Sequence, residues 1–452
     1  MESNNSYDVL VIGVGMAGVS VAHKAARSGK RVAVADSRPY GGTCALRGCD
    51  PKKVLVGAAE LIDSSRRMSG SGVEGELTVD WPALMKHKAS IIEDTPGSLE
   101  QSMSKLGVET LHGAARFIGR HTVMVNDRQV DAEHIVIAVG QRPRTLGFPG
   151  AEHVITSTDF LDLPELPKRI VFVGGGFVSM EFAHIAARAG AEVTVLQRGA
   201  HILKGFDPDL ADRLTEVSRE LGVDIRLNTE VGAVNRRGDG ESPYTVSTTD
   251  GAEIETGLVV HGAGRVPELD DLDLEVGEVS FDPTRGIEVN EFLQSVSNPA
   301  VYAAGDAANT AGPKLTPVAV HEGMVAVGNI LKDNRKQPNY RGTPSVAFTI
   351  PSLARAGLLE EEARDAGYDV EVKSGDMSDW YTLRRTNESY GAYKVIIDKT
   401  SGTILGAHIL AGHAGETINI FATAIRNEIS VLELKTGIYV HPAATSDITY
   451  ML

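Results

Sequence analysis

Unbroken apolar runs, each followed by a glycine-rich turn and a stretch of helical periodicity, set the rhythm of the first two-thirds of the chain. YDVLVIG at Tyr7–Gly13 is apolar at nearly every position, as a strand covered on both faces of a parallel sheet must be. GVGMAG turns the chain, VSVAHKAARSG repeats apolar residues at helical spacing and stops on Gly29, and RVAVAD predicts a second strand ending on Asp36. The same order returns at Arg169–Gln197, as RIVFVGGG, FVSMEFAHIAARAG and AEVTVLQ. A shorter apolar strand lies in Asn298–Asp306 and ends on Gly305-Asp306, so a carboxylate projects from a strand's carboxyl end, where open α/β sheets bind ligands. Beyond about residue 339 the pattern changes to alternation. SVAFTI, YKVIIDK and GTILGAHIL predict antiparallel strands, Lys399-Thr400-Ser401-Gly402 a turn, and Gly415–Asn427 a helix.

This pattern predicts an α/β chain: two doubly wound, Rossmann-like nucleotide-binding domains and a C-terminal α+β domain. The expected boundaries are 1–145 for the first part of one nucleotide domain, 146–265 for the second domain, 266–338 for the rest of the first, and 339–452 for the last. A chain of 452 residues exceeds what one core of roughly 250–300 residues supports.

The glycines Gly13, Gly15 and Gly18 let backbone approach a pyrophosphate at a helix N-terminus, and Asp36 stands where a carboxylate binds ribose hydroxyls. The second turn carries Gly174 and Gly176, with Ser179 at the third position and Phe177-Val178 opening the helix. Its strand ends on Gln197 in place of an acid, and Arg198 and Lys204 follow. Loss of the carboxylate and gain of cations suits a 2′-phosphate, which points to NADPH ahead of NADH; the competing reading makes both cations solvated surface charges.

Cys44 and Cys49 are the only two cysteines, in the run GGTCALRGCDPKK. Cys49 opens a helical stretch with Pro51 just inside its start, and the helix N-terminus with Lys52 and Lys53 favours a thiolate, while Asp50 opposes it. Two dinucleotide turns plus a cysteine pair imply two cofactors, and FAD bridges hydride chemistry to a disulfide. His441, before Pro442, and Asp447 form a candidate acid/base with an orienting carboxylate.

A net charge of −16 argues against nucleic acid or an anionic membrane as partner. The chain opens MESNNS and enters a strand at once, with no basic flank and no apolar run long enough to span a bilayer, so a cytoplasmic protein is expected. In a reducing cytosol a cysteine pair is catalytic more often than structural. No metal site is read.

Together these runs resemble the glutathione reductase family, the FAD-dependent pyridine-nucleotide disulfide oxidoreductases, over essentially the whole chain. GGTCALRGC resembles the redox motif, IAVGQRP at Ile137–Pro143 a hinge strand, and GAGRVPE at Gly262–Glu268 its counterpart. VYAAGDAA resembles the second FAD motif, LTPVAVHEG at Leu315–Gly323 the segment near the flavin, and HPAATSD the C-terminal His-Pro motif. The resemblance implies that Cys44 attacks a disulfide substrate and Cys49 faces the flavin. It implies that Lys53 or Lys52 lies near flavin N5 and pairs with Glu181, that Asp306 holds the ribityl chain, and that His441 serves the partner subunit of a homodimer. Gly42, Thr43, Ala115, Gly140, Gly264, Arg265, Leu315 and Thr316 join the cofactor-binding set on the same ground.

The chain departs from the family's pattern in four places. Ala-Leu-Arg-Gly stands between the cysteines in place of Val-Asn-Val-Gly, and brings the cation Arg47. The His-Pro motif has one extra residue before its acid. His23-Lys24 replaces the arginines that meet a glutathione carboxylate, and the cysteine pair that ends mercuric reductases is missing. The expected activity is reduction of a low-molecular-weight, glutathione-like disulfide. Its rivals are dihydrolipoamide oxidation with NAD and a flavoprotein sensor without turnover.

Overall fold

The computed structural model describes residues 6–452; the opening residues MESNN, on which the expectation of no leader partly rests, lie outside the described residues. The chain forms two compact units.

One unit gathers the chain up to Lys53 with Lys86–Arg144 and Arg265–Tyr340. Its sheet is built on strand β1 (Ser6–Ile12), which pairs in parallel with β2 (Val32–Asp36) on one side and with Arg128–Ile137 on the other. Glu109–His112 extends the sheet beyond β2, and Val301–Ala303 pairs in parallel onto Arg128–Ile137. Leu10, Ile12, Ile135 and Ile137 face one core, and Val9, Val11, Val34 and Val136 the other. Strict alternation between two buried faces is the physical source of the unbroken apolar runs. Helix α1 (Met16–Arg27) buries Ala17, Val21, Ala22 and Ala25 in the second core, together with Val325, Ala326 and Ile330 of the helix Thr316–Ile330. Two short antiparallel strands, Ala115–Gly119 and Thr122–Val125, complete the sheet. Ala115–Gly119 pairs with Thr122–Val125, and only the latter pairs with the long strand that follows.

The other unit holds Val54–Met85, Thr145–Gly264 and Arg341–Leu452. Its parallel sheet runs Asp224–Arg226, Glu192–Leu196, Arg169–Val173, Leu258–His261. An antiparallel sheet of five strands fills its C-terminal part in the order Pro344–Ala347, Ser352–Gly357, Ile404–Ala411, Ala392–Asp398, Val370–Asp376. Its central strand, Ile404–Ala411, is buried at every position, and the helix Ala414–Arg426 packs on it through Ile418, Phe421 and Ile425. The turn after Ala392–Asp398 is fixed by Asp398, whose carboxylate accepts from the Thr400 and Ser401 N–H groups at 3.1 and 3.2 Å.

Candidate functional site

The first glycine turn is a place where backbone meets backbone. Gly13 has φ +96°, and a Cβ there would fall 2.4 Å from the Ala138 carbonyl oxygen. A Cβ on Gly18 would fall 2.0 Å from the Gly13 carbonyl oxygen, so the first turn of α1 can sit on the strand end only without side chains. Asp36 closes the turn: its carboxylate accepts the Val14 N–H at 2.8 Å and the Arg38 N–H at 2.9 Å. The second turn, in the other unit, repeats the arrangement. Gly174 (φ +96°) abuts Gly262 and Ala263, and Gly175 N–H donates to the Gln197 side-chain oxygen at 2.9 Å. Gln197 thus does for the second turn what Asp36 does for the first, without a negative charge. Ser179, in the place of the third glycine, is fully buried against Gly262, where a Cβ would stand 1.9 Å from its hydroxyl oxygen. Gly176 caps the second helix and Phe177 is half-exposed at its first position, with Val178 next to it. Arg198 and Lys204 are exposed and have no ion-pair partner among the described residues.

The cysteines sit on two short steps of helix. Cys44 lies in α2 (Gly42–Arg47), and Cys49 is the first residue of α3 (Cys49–Met68). Both are free thiols, Cys44 half-buried and Cys49 exposed. The two thiols are coupled, and that coupling is the largest influence on each: it pulls the Cys49 thiol down to about 6 and pushes Cys44 up, with burial adding to the rise. Thr316 supports Cys49 with its hydroxyl at 3.5 Å, and the Lys52 ammonium lowers it further, against burial and Asp50. Of the two, Cys49 is thus the thiol favoured as a thiolate and Cys44 the one that keeps its proton. Lys52 is buried, whereas Lys53 is exposed.

Around this pair the same unit brings together residues far apart in sequence. Asp306 follows the strand Val301–Ala303, and burial raises its carboxyl while Lys314 and Arg265 pull it back. It accepts no hydrogen bond among the described residues. Its turn is held by Glu322, a buried carboxylate that accepts from Gly305 N–H, Thr310 and Tyr340, each at 2.7 Å. Glu322 and Lys314 escaped the sequence reading, although both lie in or beside the segment Leu315–Gly323; three acceptances at one buried carboxylate leave no periodic signature. Leu315 caps the helix Thr316–Ile330 without a side-chain bond, leaving its N-terminal N–H groups beside Thr316. Gln141–Pro143 pairs antiparallel with Arg265–Pro267, and Arg265 donates to the Gln141 carbonyl. Gly140 and Gly264, at φ +74° and +109°, precede these two strands. Ala115 is buried in the core and pairs with Val125 across the antiparallel ladder.

The residues present fit a flavin dinucleotide. Bare backbone at Gly13, Gly15 and Gly42 lies beside Asp36; the desolvated carboxylate of Asp306 has no donor among the described residues; and the Cys49 thiol, held low, stands beside Thr316.

In the other unit, Glu181 is buried and accepts the Phe348 N–H at 2.8 Å. His441 is exposed and flanked by the exposed side chains of Ile438 and Val440. Asp447 is buried, accepts the Thr382 hydroxyl, and has its carboxyl raised by burial, with Thr382 and then the His441 charge opposing. No hydrogen bond joins Asp447 to His441 among the described residues, so Thr382 takes the contact expected of the imidazole.

The family model "Pyridine nucleotide-disulphide oxidoreductase" matches residues 7–323, and that of the corresponding dimerisation domain matches residues 343–452. Glutathione reductase of Burkholderia cepacia is 33% identical over 442 residues, covering 98% of this chain and 97% of that protein. Dihydrolipoyl dehydrogenase of Thermus scotoductus is 32% identical over 441 residues, covering 97% and 95%. The structure of the HOCl-induced flavoprotein disulfide reductase RclA from Escherichia coli superposes with a TM-score of 0.88 at 26% identity, over 98% of this chain and 99% of that one.

Proposed function

The chain belongs to the pyridine nucleotide-disulphide oxidoreductases, enzymes that use FAD and a pyridine nucleotide, and on that premise we propose that it reduces a low-molecular-weight, glutathione-like disulfide with NADPH. The observation that carries this reading is the cysteine pair, two free thiols, one in α2 and one opening α3, with Thr316 at 3.5 Å from Cys49 and the Lys52 charge favouring the Cys49 thiolate. Residues 1–145 and 266–338 would hold FAD, 146–265 the nicotinamide coenzyme, and 339–452 the partner subunit. FAD, when bound, supplies the relay that turns a hydride into the electron pair opening a disulfide.

The chain's own residues then act on the substrate. Cys44 passes its proton to His441 of a second copy of the chain and attacks one sulfur of the substrate; the substrate S–S bond breaks, a Cys44–substrate disulfide forms, and the first thiolate leaves and takes that proton back from the imidazole. Cys49 attacks the Cys44 sulfur as a thiolate, the Cys44–substrate bond breaks, the protein disulfide forms, and the second thiolate leaves and takes a proton from water. Two electrons have passed from the pair to the substrate. Gly13, Gly15, Gly18, Asp36, Gly42, Thr43, Ala115, Gly140, Gly264, Arg265, Asp306, Leu315 and Thr316 are the proposed FAD contacts. Gly174, Gly176, Phe177, Val178, Arg198 and Lys204 are those for the coenzyme. Of the two lysines, buried Lys52 is assigned to the flavin side of the pair.

NADPH is favoured because Gln197 holds the second turn with a neutral amide and two unpaired cations flank it. His23 is bound to Ser102 and Lys24 to the Met324 carbonyl, at 3.1 and 3.0 Å, so neither stands ready for a glutathione carboxylate. A cytoplasmic location accords with the reducing chemistry, and no helix among the described residues is long and apolar enough to cross a membrane. The test is steady-state turnover of purified protein with NADPH or NADH against a panel of small disulfides, and with NAD⁺ and dihydrolipoamide. Turnover with NADPH and one disulfide supports the reading. Strong preference for NADH, or activity with dihydrolipoamide alone, replaces it with the dehydrogenase. A flavoprotein that NADPH fails to bleach anaerobically replaces it with a sensor.

A further inference from the structure

Arg47, in the middle of the cysteine motif, has no part in the chemistry above. It ends α2 one helical turn after Thr43, so the two side chains share a face. That helix is pressed against the first glycine turn: a Cβ on Gly42 would lie 2.6 Å from the Gly15 Cα atom. Arg47 is half-buried, and it makes no ion pair and no hydrogen bond among the described residues. Its charge is felt near Asp36, Glu268 and Arg38. Those groups are already engaged, Arg38 with Glu268 and Asp36 with two N–H groups. Arg265, itself desolvated, feels both Arg47 and Asp306. The two guanidiniums thus share one charged neighbourhood with Asp36 at the end of β2, Glu268, and Asp306 after Val301–Ala303. The influences on the sulfurs are each other, burial, Thr316, Lys52 and Asp50.

A guanidinium half out of water without a partner is unfavourable unless an anion meets it. A dinucleotide reaching from Asp36 to Asp306 places its diphosphate between them, and a guanidinium fork matches phosphate oxygens in pairs. We propose that Arg47 grips the diphosphate of bound FAD and ties the cysteine helix to the cofactor. This rests on the flavoprotein reading above.

The experiment titrates FAD into apoprotein, wild type and R47Q, following flavin fluorescence at several salt concentrations, with the pH profile of Cys49 alkylation recorded on the same proteins. The expected result is an FAD Kd raised about tenfold to a hundredfold in R47Q, as for loss of a charge-assisted hydrogen bond. A flatter salt dependence and an unmoved alkylation profile should accompany it. Wild-type affinity and salt dependence in R47Q overturn the proposal. So does a shifted alkylation profile at unchanged affinity, which assigns Arg47 to the thiols. Should R47Q not fold by circular dichroism, R47M keeps the packing of the aliphatic stem and is read by the same outcomes. Wild-type protein that binds no FAD overturns the flavoprotein reading itself.

Discussion

At the scale of single residues, the asymmetry between the cysteines is what makes one a nucleophile in waiting and the other a charge store. The reduced protein should be alkylated by iodoacetamide with an inflection near the depressed value of Cys49, about 6, because only the thiolate reacts and Cys49 is the thiol held low. In C44A the main cause of that depression is gone, and the inflection should move up toward the ordinary range of about 8.5; a profile identical to wild type contradicts the coupling of the two thiols. C44S should lose disulfide reduction yet keep its yellow flavin absorbance, and turnover in that variant would show that another group attacks. The His-Pro motif makes an uneven prediction. H441Q should lower kcat about 100-fold to 10,000-fold, the usual scale for an acid/base. D447N should cost less than about tenfold, since Asp447 bonds Thr382 and not the imidazole. Equal losses in kcat for the two variants would mean the carboxylate orients the imidazole during turnover.

At the scale of elements, the two glycine turns are the same device with different closing groups, a carboxylate for one and an amide for the other. The cations after Gln197 belong to that second turn. R198A/K204A should raise KM for NADPH by about tenfold to a hundredfold and leave KM for NADH nearly unchanged, as steady-state kinetics with both coenzymes would read. Equal effects on the two coenzymes would return these residues to ordinary surface charge. Helix α2 is equally constrained. Gly42 has φ +64° in addition to its contact with Gly15, so G42A strains the backbone and pushes the cysteine helix off the turn. Purified G42A should carry substoichiometric FAD, measured by absorbance ratio.

At the scale of the whole molecule, the C-terminal part presents Ile438 and Val440, next to His441 in the chain, and Leu432 and Tyr450 to solvent, apolar side chains that a dimerisation domain has reason to cover. I438D should shift the protein from dimer to monomer in sedimentation velocity and remove disulfide turnover with it; a monomer as active as the dimer would deny the partner's imidazole a role. Much of the architecture was legible along the chain. Runs buried on both faces, glycines at fixed offsets and a switch to alternation arise from local backbone geometry, and local geometry is written in neighbouring residues. The residues of the site that pattern could not supply are those whose meaning lies in distant partners. Glu322 is one buried acid until Gly305, Thr310 and Tyr340 converge on it; Asp447 is a motif carboxylate until Thr382 claims it; Lys52 and Lys53 are equivalent cations until only one is buried. Sequence alone thus determined the class of fold and the family chemistry, because periodicity and short-range spacing encode strands, turns and thiol pairs. Only the tertiary structure decided which thiol is held low and which of the two lysines is buried, because burial and the approach of Thr316, 267 residues from Cys49, are set by how the chain packs.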